Sequence, residues 1–308
     1  MSTPAPQVTR APMVPACWLC RGPGRLLYDD CRDLEYFVPG SAVFARCESC
    51  GFVFIDPVPT AAELEALYPE SYNNFHAPQG VGAFLLRRYH AHQAARCMRY
   101  LHPGARFLEV GCGTGALLER LRGQGVDVRG IDLSPAACRL ARARGLDVFQ
   151  GTVEDYETTE RFALIFLSHV IEHVPDPVGT IARLTSLLEP GGVIYLETPN
   201  VGALDARVWG QEWGLIHYPR HLSLFDRVTI RRLLGSAGLE VLEVTSEINS
   251  CGWALSIQGA LRRRGWDRSR APRSRYYPLL LLGCLPLNLV DLCFGGTAFM
   301  SAVARRPA

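Results

Sequence analysis

The chain contains no lysine, so all 32 of its basic residues are arginines. Schiff-base chemistry and every other lysine-centred mechanism are excluded. Arginine used this uniformly reads as a GC-rich coding bias, which fits a bacterial source. Residues 1–16 lack an apolar signal core and are rich in Pro and Ala, so they read as a disordered leader. The longest apolar run, Pro278 to Val290, is too short to span a bilayer. A net charge of +2 gives no general argument for nucleic acid or membrane as partner. No internal repeat is visible. Eleven cysteines without a secretion signal point to a reducing cytoplasm, where thiols pack or bind metal. With 308 residues, 48% of them hydrophobic, there is material for one large domain with an accessory unit, or for two domains.

The stretch around which the chain is organised is Arg106-Phe107-Leu108-Glu109-Val110-Gly111-Cys112-Gly113-Thr114-Gly115. An apolar run, a glycine cluster and then Ala116 to Leu121 read as strand, tight turn and helix. Without a Cβ the turn can adopt positive φ, and a ligand can touch the backbone. Free N–H groups of the following helix aim at that place. Gly111-x-Gly113-x-x-Ala116 also fits the dinucleotide fingerprint, which keeps a nicotinamide-dependent oxidoreductase open. Further strands are expected at 126–132, 146–150, 162–168, 193–198, 239–247 and 297–306. Ser134-Pro135, Asp176-Pro177 and Asp226 are expected to start helices between them. Strand–helix alternation implies parallel pairing with right-handed crossovers. Residues 199–225 read as a long aromatic loop, and 248–296 as an insert.

Ahead of this domain (75–308) lies a unit at 17–74 with Cys17-x-x-Cys20 and Cys47-x-x-Cys50. Two residues between thiolates let both reach one tetrahedral zinc from a tight knuckle. Cys31, between the pairs, is an alternative ligand. Residues 17–56 hold Arg21, Arg25, Arg32 and Arg46 against Asp29, Asp30, Asp33, Glu35, Glu48 and Asp56. That acidic balance argues against a nucleic-acid grip, and so against a zinc-binding adaptor without catalysis.

The run Glu109-x-Gly111-x-Gly113-x-Gly115 resembles motif I of class I S-adenosylmethionine (SAM) methyltransferases. A carboxylate before the glycines suits the SAM ammonium and disfavours a pyrophosphate. The paired cysteines, Cys50-Gly51-Phe52-Val53-Phe54-Ile55-Asp56-Pro57, Tyr68-Pro69-Glu70-Ser71-Tyr72, the His169–Pro177 segment and Pro219-Arg220-His221-Leu222-Ser223-Leu224-Phe225 resemble a bacterial subgroup with a zinc-binding front end. The resemblance implies a Rossmann-like α/β fold: a seven-stranded doubly wound sheet with an antiparallel last strand, plus a small zinc-ribbon-like unit. It assigns Glu109, Gly111, Cys112, Gly113 and Gly115 to the methionine end of SAM. Asp132 and Leu133 fall to the ribose side, and Glu154 or Asp155 to the adenine amino group, with Ser168 also at the cofactor. A solvated turn acid is the alternative to the ribose role of Asp132, and a stronger alternative for Glu154 and Asp155, which lie in an acidic segment. The family's Phe-Asp at the start of its fourth strand, here 162–168, is Phe162-Ala163 in this chain.

Methyl transfer needs in-line positioning and, for a hydroxyl or amine acceptor, a base. His169 at a strand tip is the first candidate. His173 and His221 are further candidates, with His217 an alternative; a structural role accounts for each at least as well, above all for His173, which would be buried and fix the helix. His169-x-x-Glu172-His173 also matches the string of inverted zinc proteases, whose ligands share a helix face. It is similar too to an acid-rich element that ubiquinone-pathway O-methyltransferases associate with a divalent ion, with His169 in place of the first Glu. Trp209, Trp213 and Tyr218 could wall an acceptor pocket or pack the loop. The subgroup implies a small-molecule, sugar or lipid-linked acceptor. Seven arginines between Arg262 and Arg275, followed by Tyr276-Tyr277-Pro278 and a leucine run, have the order of an interfacial segment, so peripheral membrane contact is expected through 262–290. The alternative is leucines packed on the sheet beneath a solvated arginine loop.

Overall fold

A computed structural model describes residues 16–38, 40–60 and 81–308. Most of the expected leader, a short helix expected at 61–68 and the Tyr68–Tyr72 motif lie outside the described residues. Strands β1 (Gly24–Cys31) and β2 (Ala42–Cys47) pair antiparallel, and β2 pairs with β3 (Val53–Asp56). Helix α1 (Val81–Cys97) leads into β4 (Arg106–Val110), α2 (Ala116–Arg122), β5 (Asp127–Asp132), α3 (Pro135–Ala143) and β6 (Val148–Gln150). Then come β7 (Phe162–Ser168), α4 (Pro177–Leu187), β8 (Leu188–Pro199), α5 (Leu204–Trp209), β9 (Ser223–Leu224), α6 (Arg227–Ser236) and β10 (Glu240–Glu247). The insert forms α7 (Cys251–Arg263), α8 (Tyr277–Gly283) and α9 (Leu287–Cys293) before β11 (Phe299–Arg305) closes the chain's last sheet position.

The large sheet has the order β10-β11-β8-β7-β4-β5-β6. Its central pairs are parallel, while β11 runs antiparallel between β8 and β10, as the resemblance implies. Phe162 to Leu167 are all buried, the continuous apolar run of a strand covered on both faces. The helix starts follow local chemistry. Ser134 Oγ accepts the Ala137 N–H, Asp176 accepts the Gly179 N–H, and Asp226 forms a capping box with Thr229.

Residues 199–225 are not an open loop. Trp213 is buried, and its indole N–H donates to Asp205 at 2.8 Å. Further on, β9 pairs antiparallel with β3, so the N-terminal sheet has four strands in the order β1-β2-β3-β9. A partner strand so distant in sequence leaves no trace in local periodicity. Trp213 therefore packs the segment, with Trp209 against the same cluster, and with Tyr218 it also lines a small cavity beside Asp33, Glu35 and His217.

Charged contacts lock the small unit, this segment and the insert together. Asp33 and Arg220 meet at 3.0 Å with both side chains out of water, and the guanidinium lies 4.3 Å from the Tyr36 ring centre. Glu35 faces His217 at 3.4 Å and pairs with Arg273. Arg262 donates to the Leu34 carbonyl at 2.7 Å. Thus Arg262 and Arg273 are not part of a solvated loop. Leu280 and Leu281 of α8 pack on the cluster that holds Val53, Ile55 and Phe299, whereas Leu279, Leu282, Leu289 and Leu292 face outward while Asn288 and Asp291 turn inward. No helix of the described residues is long and apolar enough to cross a membrane.

Asp33 pairs with buried Arg220 and accepts the Glu35, Tyr36 and Val38 N–H groups, so removing its carboxylate breaks a buried charged network. Asp33→Ala should therefore lower the unfolding free energy by about 3 kcal/mol or more in a urea titration. A loss of a few tenths would show that Arg220 does not depend on this carboxylate.

Candidate functional site

The sheet's strand order reverses at β4, between β5 on one side and β7 on the other. Connections leaving the carboxyl ends of β4 and β7 therefore diverge, and the crevice between them is where open α/β sheets take ligands. Gly111, Gly113 and Gly115 have φ of 74°, 52° and 78°. A Cβ at Gly111 would lie 2.5 Å from Val170 on the β7 side, and one at Gly115 would lie 2.2 Å from Leu146. At Gly113 it would meet nothing within 4 Å. The outer two glycines permit close packing, while the middle one presents bare backbone to open space.

Two acids flank that backbone. Asp132 Oδ2 accepts the Gly113 N–H at 2.7 Å and Oδ1 accepts the Ser134 N–H at 2.8 Å. Each oxygen keeps a further lone pair for a hydroxyl. Burial raises the Asp132 carboxyl above its ordinary pKa, with the two backbone bonds opposing. Glu109 is buried, and its Oε2 has no hydrogen-bond partner among the described residues. Desolvation, then the charges of Asp132 and Glu197, push it well above the usual carboxylate range. A cation at this orphaned carboxyl would favour its ionised form and satisfy it, and the ammonium of SAM would supply one. Leu133, at 68% exposed, offers an apolar surface next to Asp132. The donor set therefore fits SAM.

Other expected contacts fall out differently. Cys112 turns its thiol inward, towards Gly130, and its N–H donates to Ile131, so neither group faces the crevice. Glu154 is held by the Thr180 hydroxyl at 2.6 Å. Asp155 accepts the Thr152 hydroxyl at 2.7 Å and remains exposed. Ser168 joins a network absent from the sequence reading. Its hydroxyl, the Tyr89 hydroxyl and the Gln93 amide all donate to Glu197 Oε2 at 2.8–2.9 Å, and Tyr195 donates to Oε1 at 3.1 Å. The one local signal was the four-residue spacing of Tyr89 and Gln93, which puts both on one face of α1.

At the end of β7 the chain bends sharply. His169 has φ +54°, a conformation costly for a residue with a Cβ, and its N–H donates to the Glu197 carbonyl at 2.9 Å. Its Nδ1 lies 3.2 Å from Glu172 Oε1, while the Thr198 hydroxyl donates to Oε2 at 3.0 Å. Glu172 is fully buried. Burial works to lower the His169 pKa, but the bond and charge of Glu172 prevail and raise it above the ordinary imidazole value. With Nδ1–H bound to a carboxylate, Nε2 is left as the acceptor on a partly exposed ring. Only a 3₁₀ turn at Ile171–His173 follows, so the inverted zinc protease reading, which needs an α-helix, fails.

His173 and His221 stack edge to face at 4.7 Å, each with Nδ1 on a backbone carbonyl, of Arg220 and Leu215 respectively. Burial lowers the pKa of His173 and takes His217 and His221 well below the ordinary value, so these imidazoles are neutral. Ligand atoms of Glu172, His173 and His221 lie within 4.8 Å of one another, and the three could hold a divalent cation. His217 Nδ1 stands 3.4 Å from His221 Nε2 and competes for its lone pair.

In the small unit the four sulfurs of Cys17, Cys20, Cys47 and Cys50 also lie within 4.8 Å of one another. Cys17–Cys50 and Cys20–Cys47 are 3.6 and 3.5 Å apart, too far for disulfides. Zinc–sulfur bonds of about 2.3 Å set tetrahedral ligands roughly 3.8 Å apart, so the group fits one ion. Cys31 is buried elsewhere and is not part of it.

Comparison with known proteins agrees with this geometry. The family described as "Methyltransferase domain" matches residues 85–244. A ubiquinone biosynthesis O-methyltransferase of Azorhizobium caulinodans is 30% identical over 217 residues, covering 66% of this chain and 82% of that protein. One from Thiobacillus denitrificans is 33% identical over 156 residues, covering 46% and 67%. Among solved structures, Haemonchus contortus phosphoethanolamine N-methyltransferase 2 in complex with SAM superposes with TM-score 0.53 at 17% identity, covering 83% of this chain and 62% of that one. The [4+2]-cyclase SpnF gives 0.52 at 18%, covering 82% and 97%. These two establish the fold alone. The sheet order, the family match and the relative that spans most of its length together place the chain: it belongs to the class I SAM-dependent methyltransferases.

Proposed function

We propose that the enzyme transfers the methyl group to a hydroxyl of a small-molecule acceptor, with His169 as general base. The carrying observation is the imidazole at the tip of β7, oriented by the fully buried Glu172. The relatives' names, which specify O-methylation, support the acceptor atom. A sugar or a lipid-linked molecule remains within that acceptor class. When bound, SAM supplies a methyl group on a sulfonium that leaves as a neutral thioether. Gly113 and Glu109 would hold the methionine end, and Asp132 the ribose. His169 Nε2 takes the hydroxyl proton as the acceptor oxygen forms its bond to the methyl carbon. Glu172 stabilises the imidazolium so formed, and Thr198 completes the carboxylate's hydrogen bonds. His173 and His221, neutral and bound to backbone carbonyls, serve to hold the wall behind His169. Cys17, Cys20, Cys47 and Cys50 would hold a structural zinc.

Radiolabelled SAM offered with nucleotide sugars, lipid-linked glycans and quinone precursors would identify the acceptor. Labelling of a nitrogen or carbon in place of oxygen would overturn the proposal. His169→Ala should cut turnover about a hundredfold while SAM affinity changes little. In the wild type, turnover should rise with pH through a pKa above the ordinary histidine value, because the base acts when neutral and Glu172 holds its proton on. Activity that vanishes on chelation and returns with a divalent cation would move deprotonation to the Glu172–His173–His221 group.

Asp132→Ala should weaken SAM binding by about 1.5–3 kcal/mol, the scale of hydrogen bonds to a charged acceptor. Wild-type affinity by calorimetry would assign the ribose to another residue. Elemental analysis should return close to one zinc per chain. Stripping it should lower the melting temperature, since Cys17 and Cys47 share a core with Ile165 and Leu233 of the large domain. An unchanged melting curve without metal would show the knuckles to be self-supporting.

A further inference from the structure

The α8–α9 segment has its polarity inside out. Between Pro278 and Phe294 the polar side chains Asn288 and Asp291 are 1% and 0% exposed. Asn288 accepts the Asn249 N–H at 3.2 Å, and Asp291 accepts the Trp253 indole N–H at 3.0 Å. Meanwhile Leu279, Leu282, Leu285, Leu289, Leu292 and Phe294 stand 45–70% exposed. Helices that cover a core do the reverse. Isolated exposed apolar side chains need no explanation, but six along one segment whose single charge, Asp291, is buried mark an interaction surface.

The adjoining loop supplies charge of one sign. Arg264, Arg268, Arg270 and Arg275 are exposed, and Trp266 is 77% exposed. Its one acid, Asp267, is turned inward onto Arg262, Ser274 and Tyr276. The two acids of the insert are thus both internal, and its outward charge is positive.

We infer that this face docks on an anionic lipid bilayer. The leucines and Phe294 enter the boundary between headgroups and acyl chains, while Trp266 and the arginines lie at the headgroups. A second copy of the chain fits less well, because a two-fold contact through this face would bring two cationic rims together. The inference is independent of the acceptor proposed above.

The test is co-sedimentation of the full chain with vesicles of phosphatidylcholine alone and of phosphatidylcholine with phosphatidylglycerol. The wild type should pellet with the anionic vesicles and stay largely in solution with the neutral ones. The paired variants Leu282→Glu/Leu289→Glu and Arg268→Glu/Arg270→Glu should each lower partitioning at least about tenfold. Melting temperature and SAM affinity should be unchanged in both, since all four side chains are exposed. Protein that remains in the supernatant with both vesicle types overturns the inference, as does binding that survives the leucine variant. A dimer in ultracentrifugation that the leucine variant abolishes, without vesicle binding, would give the face to a second copy instead.

Discussion

Glu172 is a carboxylate wholly out of water, and much of the site is arranged to make that tolerable. A buried charge without partners costs several kcal/mol or shifts to its neutral form. Here burial works to raise the pKa, yet the bond from His169 brings it below the ordinary value, so the group stays ionised. Thr198 at the end of β8 satisfies the other oxygen, and the Glu172 backbone carbonyl accepts the Leu222 N–H at 2.7 Å. One residue thereby fixes the ends of two central strands and the segment that runs to β9. His169 can keep its unfavourable φ because contacts at both its N–H and its ring over-determine it.

Around this centre the small N-terminal unit is a structural wall. Asp33 and Glu35, from the connection after β1, reach the segment carrying His217 and Arg220. The same segment packs against α7, so unit, segment and insert form one continuous body. The neutral state of His217 and His221 belongs to this burial. Were the wall to leave, water would reach both rings and their basicity would return towards the ordinary value.

Features governed by neighbouring residues were legible in the sequence: the glycine turn, the caps at Ser134, Asp176 and Asp226, and the apolar strands. Asp132 was legible because the position at the end of the second strand is set by topology. The cysteine pairs were legible because a knuckle is local, although their mutual approach depends on a hairpin. Glu197, Tyr89 and Gln93 were not, since they meet across more than a hundred residues of chain in a helix otherwise unremarkable in pattern. Cys112 looked like a cofactor contact from its place in the motif, but its χ1 direction is decided by the space above Gly130. The 199–225 segment looked irregular because its order comes from Trp213, Asp205 and a strand of another unit. In the insert the composition was plain, while the inward turn of Asn288 and Asp291 depends on Asn249 and Trp253 across a helix pair.

The pairing of β3 with β9 sets an order of events during synthesis. Strands β1 to β3 leave the ribosome early, yet the edge of β3 is covered only when Ser223 and Leu224 appear. At roughly 5–20 residues per second the gap lasts about ten to thirty seconds. Through that interval Val53 to Ile55, buried in the finished protein, form an open sheet edge of the kind that pairs with other chains. If the zinc proposed for the four cysteines is captured at this stage, it would hold the nascent hairpin in register while the edge of β3 waits for β9.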